Sequence, residues 1–296
     1  MIYCLPAPAK LNLFLHVVGR RDDGYHLLQS VFRLIDYADT VCIELRDDGR
    51  IVREVDVPGV PETSDLSVRA ACLLQPLASA GRGCSLRLEK KLPMGGGLGG
   101  GSSDAATVLL ALNRLWQINL TRAELQALAL QLGADVPVFV FGQSAFAEGV
   151  GEILHSVEVP SAWYVVLTPP VQIPTATVFA APELTRNTPA LKIAPFSADV
   201  GQVIAHTLMP QSDGLVSLGH NDLQPVVMAR EPEVVRHLAW LGQFGDARMT
   251  GSGACVFTAF ASEAEANTVL AQRPASMQGF VAQGLDRHPL HEWVSG

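Results

Sequence analysis

The 296-residue sequence has no run of lysines and arginines: 21 basic residues are dispersed among 29 acidic ones, for a formal charge of -8. Nucleic acid and anionic membranes are held by clustered positive charge, so neither is expected as a partner. No apolar stretch approaches the length of a membrane span. The N-terminal segment lacks a basic region and a small-residue cleavage site, and Lys10 and Asn12 interrupt its apolar run. A cytoplasmic location is expected. Cysteine is scarce: Cys4, Cys42, Cys72, Cys84 and Cys255 are odd in number, scattered and without metal-ligand spacing. This argues against a disulfide framework or a zinc site, and all five are read as reduced core thiols. There is no internal repeat and no low-complexity tract. What is left is a globular composition, 48% hydrophobic and 17% charged, able to bury one or two cores without covalent staples.

Against these absences, one stretch is rich. Lys91-Leu92-Pro93-Met94 leads into Gly95, Gly96, Gly97, Leu98, Gly99, Gly100 and Gly101, then Ser102, Ser103 and Asp104. Without Cβ atoms, successive backbone N–H groups can turn toward one centre and a ligand can approach closely. Before the glycines, residues 84–89 alternate like a strand; after them Ala105, Val108, Leu109, Leu112 and Leu115 recur at helical spacing. The helix start adds unpaired amides and a positive dipole end, which together suit phosphate. Two common phosphate motifs are disfavoured. Gly101 is followed by Ser102 with no lysine, so this is not a P-loop, and after Trp116 the chain begins another helix where a dinucleotide fold would place a second strand.

In chain order, residues 8–17 alternate, with Leu11, Leu13, Leu15 and Val17 on a core side and Lys10, Asn12, Phe14 and His16 on the other. Lys10 fits either an edge-strand guard or a functional cation. The turn at Asp22-Asp23-Gly24 presents Tyr25 and His26, an aromatic beside an imidazole. Strands follow from 29 to 57, with Asp47-Asp48-Gly49 predicting a hairpin between 41–45 and 51–55. Ser64 or Asp65 caps a helix to about Ala78, and Thr121 with Glu124 forms a capping box for a helix ending at Gly133. Asp135, beside the apolar run Val136 to Phe141, reads either as a helix cap or as an acid in a partly dry site.

Residues 144–150 and 152–159 read as strands around Gly149-Val150-Gly151, and a domain boundary is placed at 160/161. The second half offers a strand at 163–167, a short helix capped by Thr175 and carrying Phe179, helices at 199–208, 222–228 and 233–241, and a second glycine-serine loop at Gly251-Ser252-Gly253 entering a strand. Ser262 opens a last helix and 279–285 returns as a strand. Helices and strands mix without regular βαβ alternation, which predicts an α+β fold.

Pro8-Ala9-Lys10-Leu11-Asn12-Leu13, residues Pro93 to Ala106, and Thr250-Gly251-Ser252-Gly253-Ala254-Cys255 together resemble, in order and spacing, the three motifs of the GHMP kinases. Asp23-Gly24-Tyr25-His26 and Gly133-Ala134-Asp135-Val136-Pro137 resemble signatures of the branch that phosphorylates the 2-hydroxyl of a diphosphocytidyl methylerythritol, in the non-mevalonate route to isoprenoid precursors. The resemblance implies two α+β domains, 1–160 and 161–296, with the site in the cleft between them. It implies Asp135 as the base and Lys10 as the cation that stabilises that carboxylate as the anion and helps orient the hydroxyl.

The stretch Pro93, Met94 and Gly95 to Gly101, with Leu98, would hold ATP phosphates, and Ser102 or Ser103 would offer a hydroxyl to phosphate or Mg²⁺. Asp104 reads as a favourable carboxylate in the first helical turn. No protein ligand to the metal is assigned. Asn12 would position the acceptor; Tyr25 and Phe179 would stack on cytosine with His26 reading its edge, and Phe32, Val150 and Thr175 would line the same pocket. The second glycine loop would close over the first. Small-molecule substrates and a monomer or weak homodimer are expected.

Overall fold

Two long strands organise the chain. The alternating run of residues 8–17 is the middle of β1, Ile2–Arg20, which pairs antiparallel with β2, His26–Arg46, across a turn where Gly24 takes a φ of 92°. The computed structural model describes residues 1–191 and 219–295, so the helix expected at 199–208 lies outside the described residues. Within them a ten-stranded sheet runs β3-β4-β2-β10-β7-β9-β8, with β1 and β5 also on β2 and β6 on β5. Its remaining strands are β3 Ile51–Arg53, β4 Gly83–Glu89, β5 Ala145–Glu148, β6 Ile153–Ser156, β7 Trp163–Leu167, β8 Arg248–Met249, β9 Val256–Phe260 and β10 Gly279–Leu285.

The hairpin expected around Asp47-Asp48-Gly49 does not form. The turn is present, with Arg50 N–H donating to Asp48, but β3 crosses to the far edge and pairs parallel with β4. β4 takes the place beside β2 from residue 40 to 46. A seven-residue strand with Cys84 and Leu86 fully buried covers more apolar surface there than three-residue β3, whose side chains are only half-buried. β1 differs from its reading too: Lys10, Asn12, Phe14 and His16 are as buried as the leucines opposite them. Both faces are covered, and register shifts between Pro8 and Ala9 and between Asn12 and Leu15 re-aim its side chains.

Helices pack against the sheet in the first half. α1, Leu66–Leu74, is capped by Asp65, whose side chain accepts from the Ser67 amide. α2, Gly100–Leu115, is buried from Ser103 to Asn113, as a helix enclosed by sheet and helices must be. α3, Arg122–Leu130, shows the predicted capping box, and α4, Val136–Phe141, follows at once. Buried Arg122 donates to the carbonyls of Val140, Phe141, His291 and Val294, tying the end of α4 to the last residues of the chain.

In the second half are α5 Thr175–Phe179, α6 Gln224–Met228, α7 Pro232–Leu241 and α8 Glu263–Ala271. Pro174, not Thr175, occupies the cap of α5. One core lies mainly within the first half, one mainly within the second, and a third, with Leu11, Leu13, Tyr164 and Phe257, joins them.

Not all five cysteines are free. Cys4 and Cys42 are bonded, because the β1–β2 register sets them directly opposite each other. Their separation of 38 positions in sequence conceals that pairing. Cys84 and Cys255 are buried thiols pushed up to about 12 by burial, whereas Cys72 is exposed.

Burial pushes His16 down to about 4, aided by His220 with its ring centroid 4.5 Å away. It pushes His288 down to about 3, aided by His291 and Arg122. Both rings are neutral in the folded chain, while the unfolded chain takes up protons below the ordinary value of 6.5. Stability from this source is therefore complete above 6.5 and lost as pH falls toward 4. In urea unfolding at pH 7 and pH 5, His288→Asn, which keeps an acceptor for the Leu290 amide, should lose less stability on acidification than the wild type. An identical loss would refute the assignment.

Candidate active site

A cavity of ≈ 970 Å³ opens where β1, the glycine stretch, the start of α4, the 149–151 turn, α5 and the 251–252 loop converge. The glycine stretch forms its floor. Gly95, Gly97 and Gly99 have φ values of 69°, 77° and 73°, in the left-handed region that side chains disfavour. Close approach adds a second demand: a Cβ on Gly97 would lie 2.2 Å from the Thr250 carbonyl oxygen, and one on Gly99 would lie 2.8 Å from the Phe139 ring.

The stretch is clamped through its carbonyls. Gly96 accepts from the Cys255 amide at 3.1 Å, Leu98 from the Lys10 amide at 3.0 Å, and Gly97 from the Thr250 hydroxyl at 3.5 Å. In a trans peptide the N–H points opposite to the carbonyl, so the amides of Gly97, Leu98 and Gly99 face away from these partners. No amide from 95 to 99 is bonded to a described residue, leaving a row of donors for an anion.

Ser102 lines the cavity, but Ser103 does not. One position further into α2, Ser103 is fully buried and its hydroxyl donates to the Pro8 carbonyl at 2.7 Å, so it cannot serve a ligand. Asp104 also departs from its reading as a carboxylate in the first helical turn, since α2 already begins at Gly100. It is 2% exposed, and its Oδ2 lies 2.5 Å from Lys90, which also bonds Asp39. Burial pushes the Asp104 carboxyl up to about 7 in spite of Lys90. Asp39 accepts from the amides of Lys91 and Leu92, which fixes the entry to the glycine stretch.

Alternation along β1 puts Lys10 and Asn12 on one face, and that face is the cavity wall. Lys10 Nζ donates to Asn12 Oδ1 and stands 3.6 Å from Asp135 Oδ2. Asn12 is held in turn: its amide side chain donates to Ser30 at 2.8 Å, and its backbone N–H donates to Thr250 at 2.9 Å. Asp135 occupies the cap position of α4 yet makes no side-chain capping bond. Its carboxylate, 44% exposed, faces the cavity and Lys10 instead. A buried, oriented ammonium beside a solvent-accessible carboxylate can accept a proton and steer the group that gives it up.

At the opposite end Tyr25 stands on the rim, 63% exposed, and the rings of His26 and Phe179 lie 5.0 Å apart. Phe32 and Val150 line the wall, and the Thr175 hydroxyl pairs with that of Ser252 at 2.7 Å. A Cβ on Gly251 would sit 3.1 Å from the Gly97 carbonyl oxygen, so the second glycine loop packs on the first. Residues 29–57 read as strands of the scaffold and Leu66 as part of a buried helix face, yet Val57, Val60 and Leu66, with Leu88 and Lys90, also line the cavity. Short apolar residues in irregular chain carry no local mark of such use. Ser30 and Arg186, which bond Asn12 and His26, carry no local mark either, because their partners lie 18 and 160 residues away in the chain.

Family models for the GHMP kinases N-terminal domain and C-terminal domain match residues 65–143 and 203–278. The chain is 70% identical to a 4-diphosphocytidyl-2-C-methyl-D-erythritol kinase of Thiobacillus denitrificans, covering 99% of each sequence. It is 59% identical to one of Nitrosospira multiformis, covering 98% of this chain and 93% of that protein. Among solved structures, that of a 4-(cytidine 5'-diphospho)-2C-methyl-D-erythritol kinase superposes with a TM-score of 0.80 at 32% identity, over 95% of this chain and 99% of the other. A mevalonate kinase superposes at 0.67 and 15% identity over 96% and 100%, a likeness of fold.

Gly97→Ala should lower the melting temperature by several degrees and weaken nucleotide binding at least roughly tenfold, because it combines a disfavoured φ with a backbone clash. Gly101→Ala, whose Cβ meets nothing within 4 Å, should leave the melting temperature unchanged or higher. Calorimetric melting with nucleotide titration checks both; equal behaviour of the two variants would contradict the clamp.

Proposed function

The chain belongs to the GHMP kinases, and we propose that it transfers the γ-phosphoryl group of ATP to the 2-hydroxyl of 4-diphosphocytidyl-2-C-methyl-D-erythritol, a step of the non-mevalonate route to isoprenoid precursors. The observation that carries this reading is the placing of the Lys10–Asp135 pair in one cavity, between the glycine stretch and the Tyr25, His26 and Phe179 platform. Phosphoryl transfer asks mainly for positioning and charge stabilisation. The free amides of the glycine stretch supply the second for the β- and γ-phosphates. Adenine suits the apolar lobe of Val57, Val60 and Leu66.

Asp135 accepts the proton of the 2-hydroxyl as its oxygen bonds to the γ-phosphorus and the bond to the β-phosphate oxygen breaks, releasing ADP. Lys10, fixed by Asn12, orients that hydroxyl and stabilises its developing charge. Mg²⁺ is implied by the family's chemistry. Ser102, a hydroxyl residue lining the cavity beside the glycine stretch, would offer a hard oxygen donor to an ion that completes its shell with nucleotide phosphates and water. When bound it neutralises phosphate charge.

The cytidyl group lies between Tyr25 and Phe179. We place the division of domains at 160/161, supported by the two principal cores, although residues 286–295 return to the first half. A cytoplasmic monomer or weak homodimer working on small molecules completes the reading. Among the described residues no helix is long and apolar enough to cross a membrane.

The first test is ADP release with Mg²⁺-ATP and, in parallel, the diphosphocytidyl substrate, mevalonate and homoserine. Turnover with the first alone is expected; turnover only with another acceptor would refute the cytidyl platform. Asp135→Asn should lower kcat by at least roughly a hundredfold while leaving ATP binding intact. Tyr25→Ala should instead raise KM for the cytidyl substrate roughly tenfold, the loss of about one stacking contact.

A further inference from the structure

Just beyond α5, Arg186 places four of its five N–H donors on carbonyl oxygens and an imidazole nitrogen, and makes no ion pair with a carboxylate among the described residues. Its Nη2 donates to the carbonyls of Phe179 at 3.0 Å and Ala181 at 2.6 Å, its Nη1 to that of Leu184 at 3.0 Å, and its Nε to His26 Nε2 at 3.1 Å. One guanidinium thus ties the backbone that carries Phe179 to the ring that stacks against it.

A guanidinium has donors only and does not lose its proton. Its partner on His26 must therefore be a lone pair, which makes Nε2 the acceptor. A neutral imidazole with Nε2 unprotonated carries its hydrogen on Nδ1. Nδ1 has no hydrogen bond to a described residue, and His26 lines the cavity. Protonating both nitrogens would set N–H against N–H; consistent with this, burial followed by Arg186 and Arg20 lowers the tendency of His26 to charge.

We propose that Arg186 is a positioning residue for base selection: by occupying Nε2 it fixes His26 as the Nδ1–H tautomer, a donor that matches the N3 acceptor of cytosine and opposes the N3–H of uracil. The inference rests on the cytidyl reading given above. Stacking between Tyr25 and Phe179 accepts either pyrimidine, so discrimination has to come from a polar group of fixed polarity. A free imidazole could turn either an N–H or a lone pair to the base. Arg186 removes that choice without touching the substrate.

Histidine ¹⁵N NMR of the full-length protein reads the tautomer directly, with the His26 signal assigned by His26→Gln. The wild type should show His26 protonated on Nδ1, and Arg186→Met should lose that preference. A wild-type His26 protonated on Nε2 overturns the proposal, and this measurement needs no Arg186 variant. In steady state, Arg186→Met should raise KM for the diphosphocytidyl substrate roughly tenfold with KM for ATP unchanged. It should also reduce the preference in kcat/KM over the diphosphouridyl analogue by a similar factor. Arg186→Lys, which restores a donor, should recover most of both.

Undiminished preference in an active Arg186→Met protein would overturn the proposal and leave the kinase reading standing. Failure of the wild type to turn over the cytidyl substrate would overturn the kinase reading, and with it the base-selection role.

Discussion

The large cavity depends on a close approach that only glycine permits. The stretch from Gly95 to Gly101 is pressed between β1, the Phe139 ring and the 250–255 loop at distances that leave no room for a Cβ at Gly97 or Gly99. Each contact belongs to a different part of the chain. Lys10 holds the Leu98 carbonyl through its amide while its side chain faces Asp135. Phe139 lies in the helix that Asp135 begins, and Thr250, which crowds Gly97, also holds the Asn12 amide. The contacts that aim the free amides of the glycine stretch therefore also set the distance between Asp135 and Lys10.

The two carboxylates near that stretch illustrate how surroundings divide similar groups. Asp135 keeps nearly half its side-chain surface exposed and has Lys10 at 3.6 Å, so it is available to a substrate. Asp104 is enclosed, bonded to Lys90, and pushed up by burial, so it braces the loop. Lys90 is shared between Asp104 and Asp39, and Asp39 also holds the amides that enter the glycine stretch. The loop is thus fastened at both ends by groups bonded to one another.

What could be read locally was read where a pattern has one physical cause. The capping box at Thr121 and Glu124, the strand at 163–167 and the turn glycines follow from short-range rules, and the structure contains them. The misreadings share a different origin. A hairpin at Asp47-Asp48-Gly49 is favoured by its turn, but β4 competes for the same edge of β2 from forty residues away. Lys10 resembled an edge guard only while nothing was known to cover its face. Ser102 and Ser103 are equal in sequence; the helix turns one toward the cavity and the other under Pro8.

Sequence alone determined the class of fold and the family and marked out the glycine stretch, because these reside in contiguous residues whose spacing carries its own chemistry. Tertiary structure decided which of those residues meet. Asn12 is held by Ser30 and Thr250, Cys4 is bonded to Cys42, and Arg186 reaches across 160 residues to the ring of His26. Such partners are fixed by strand register and loop packing. Both depend on competition among distant segments for the same buried surface, and no local spacing records its outcome.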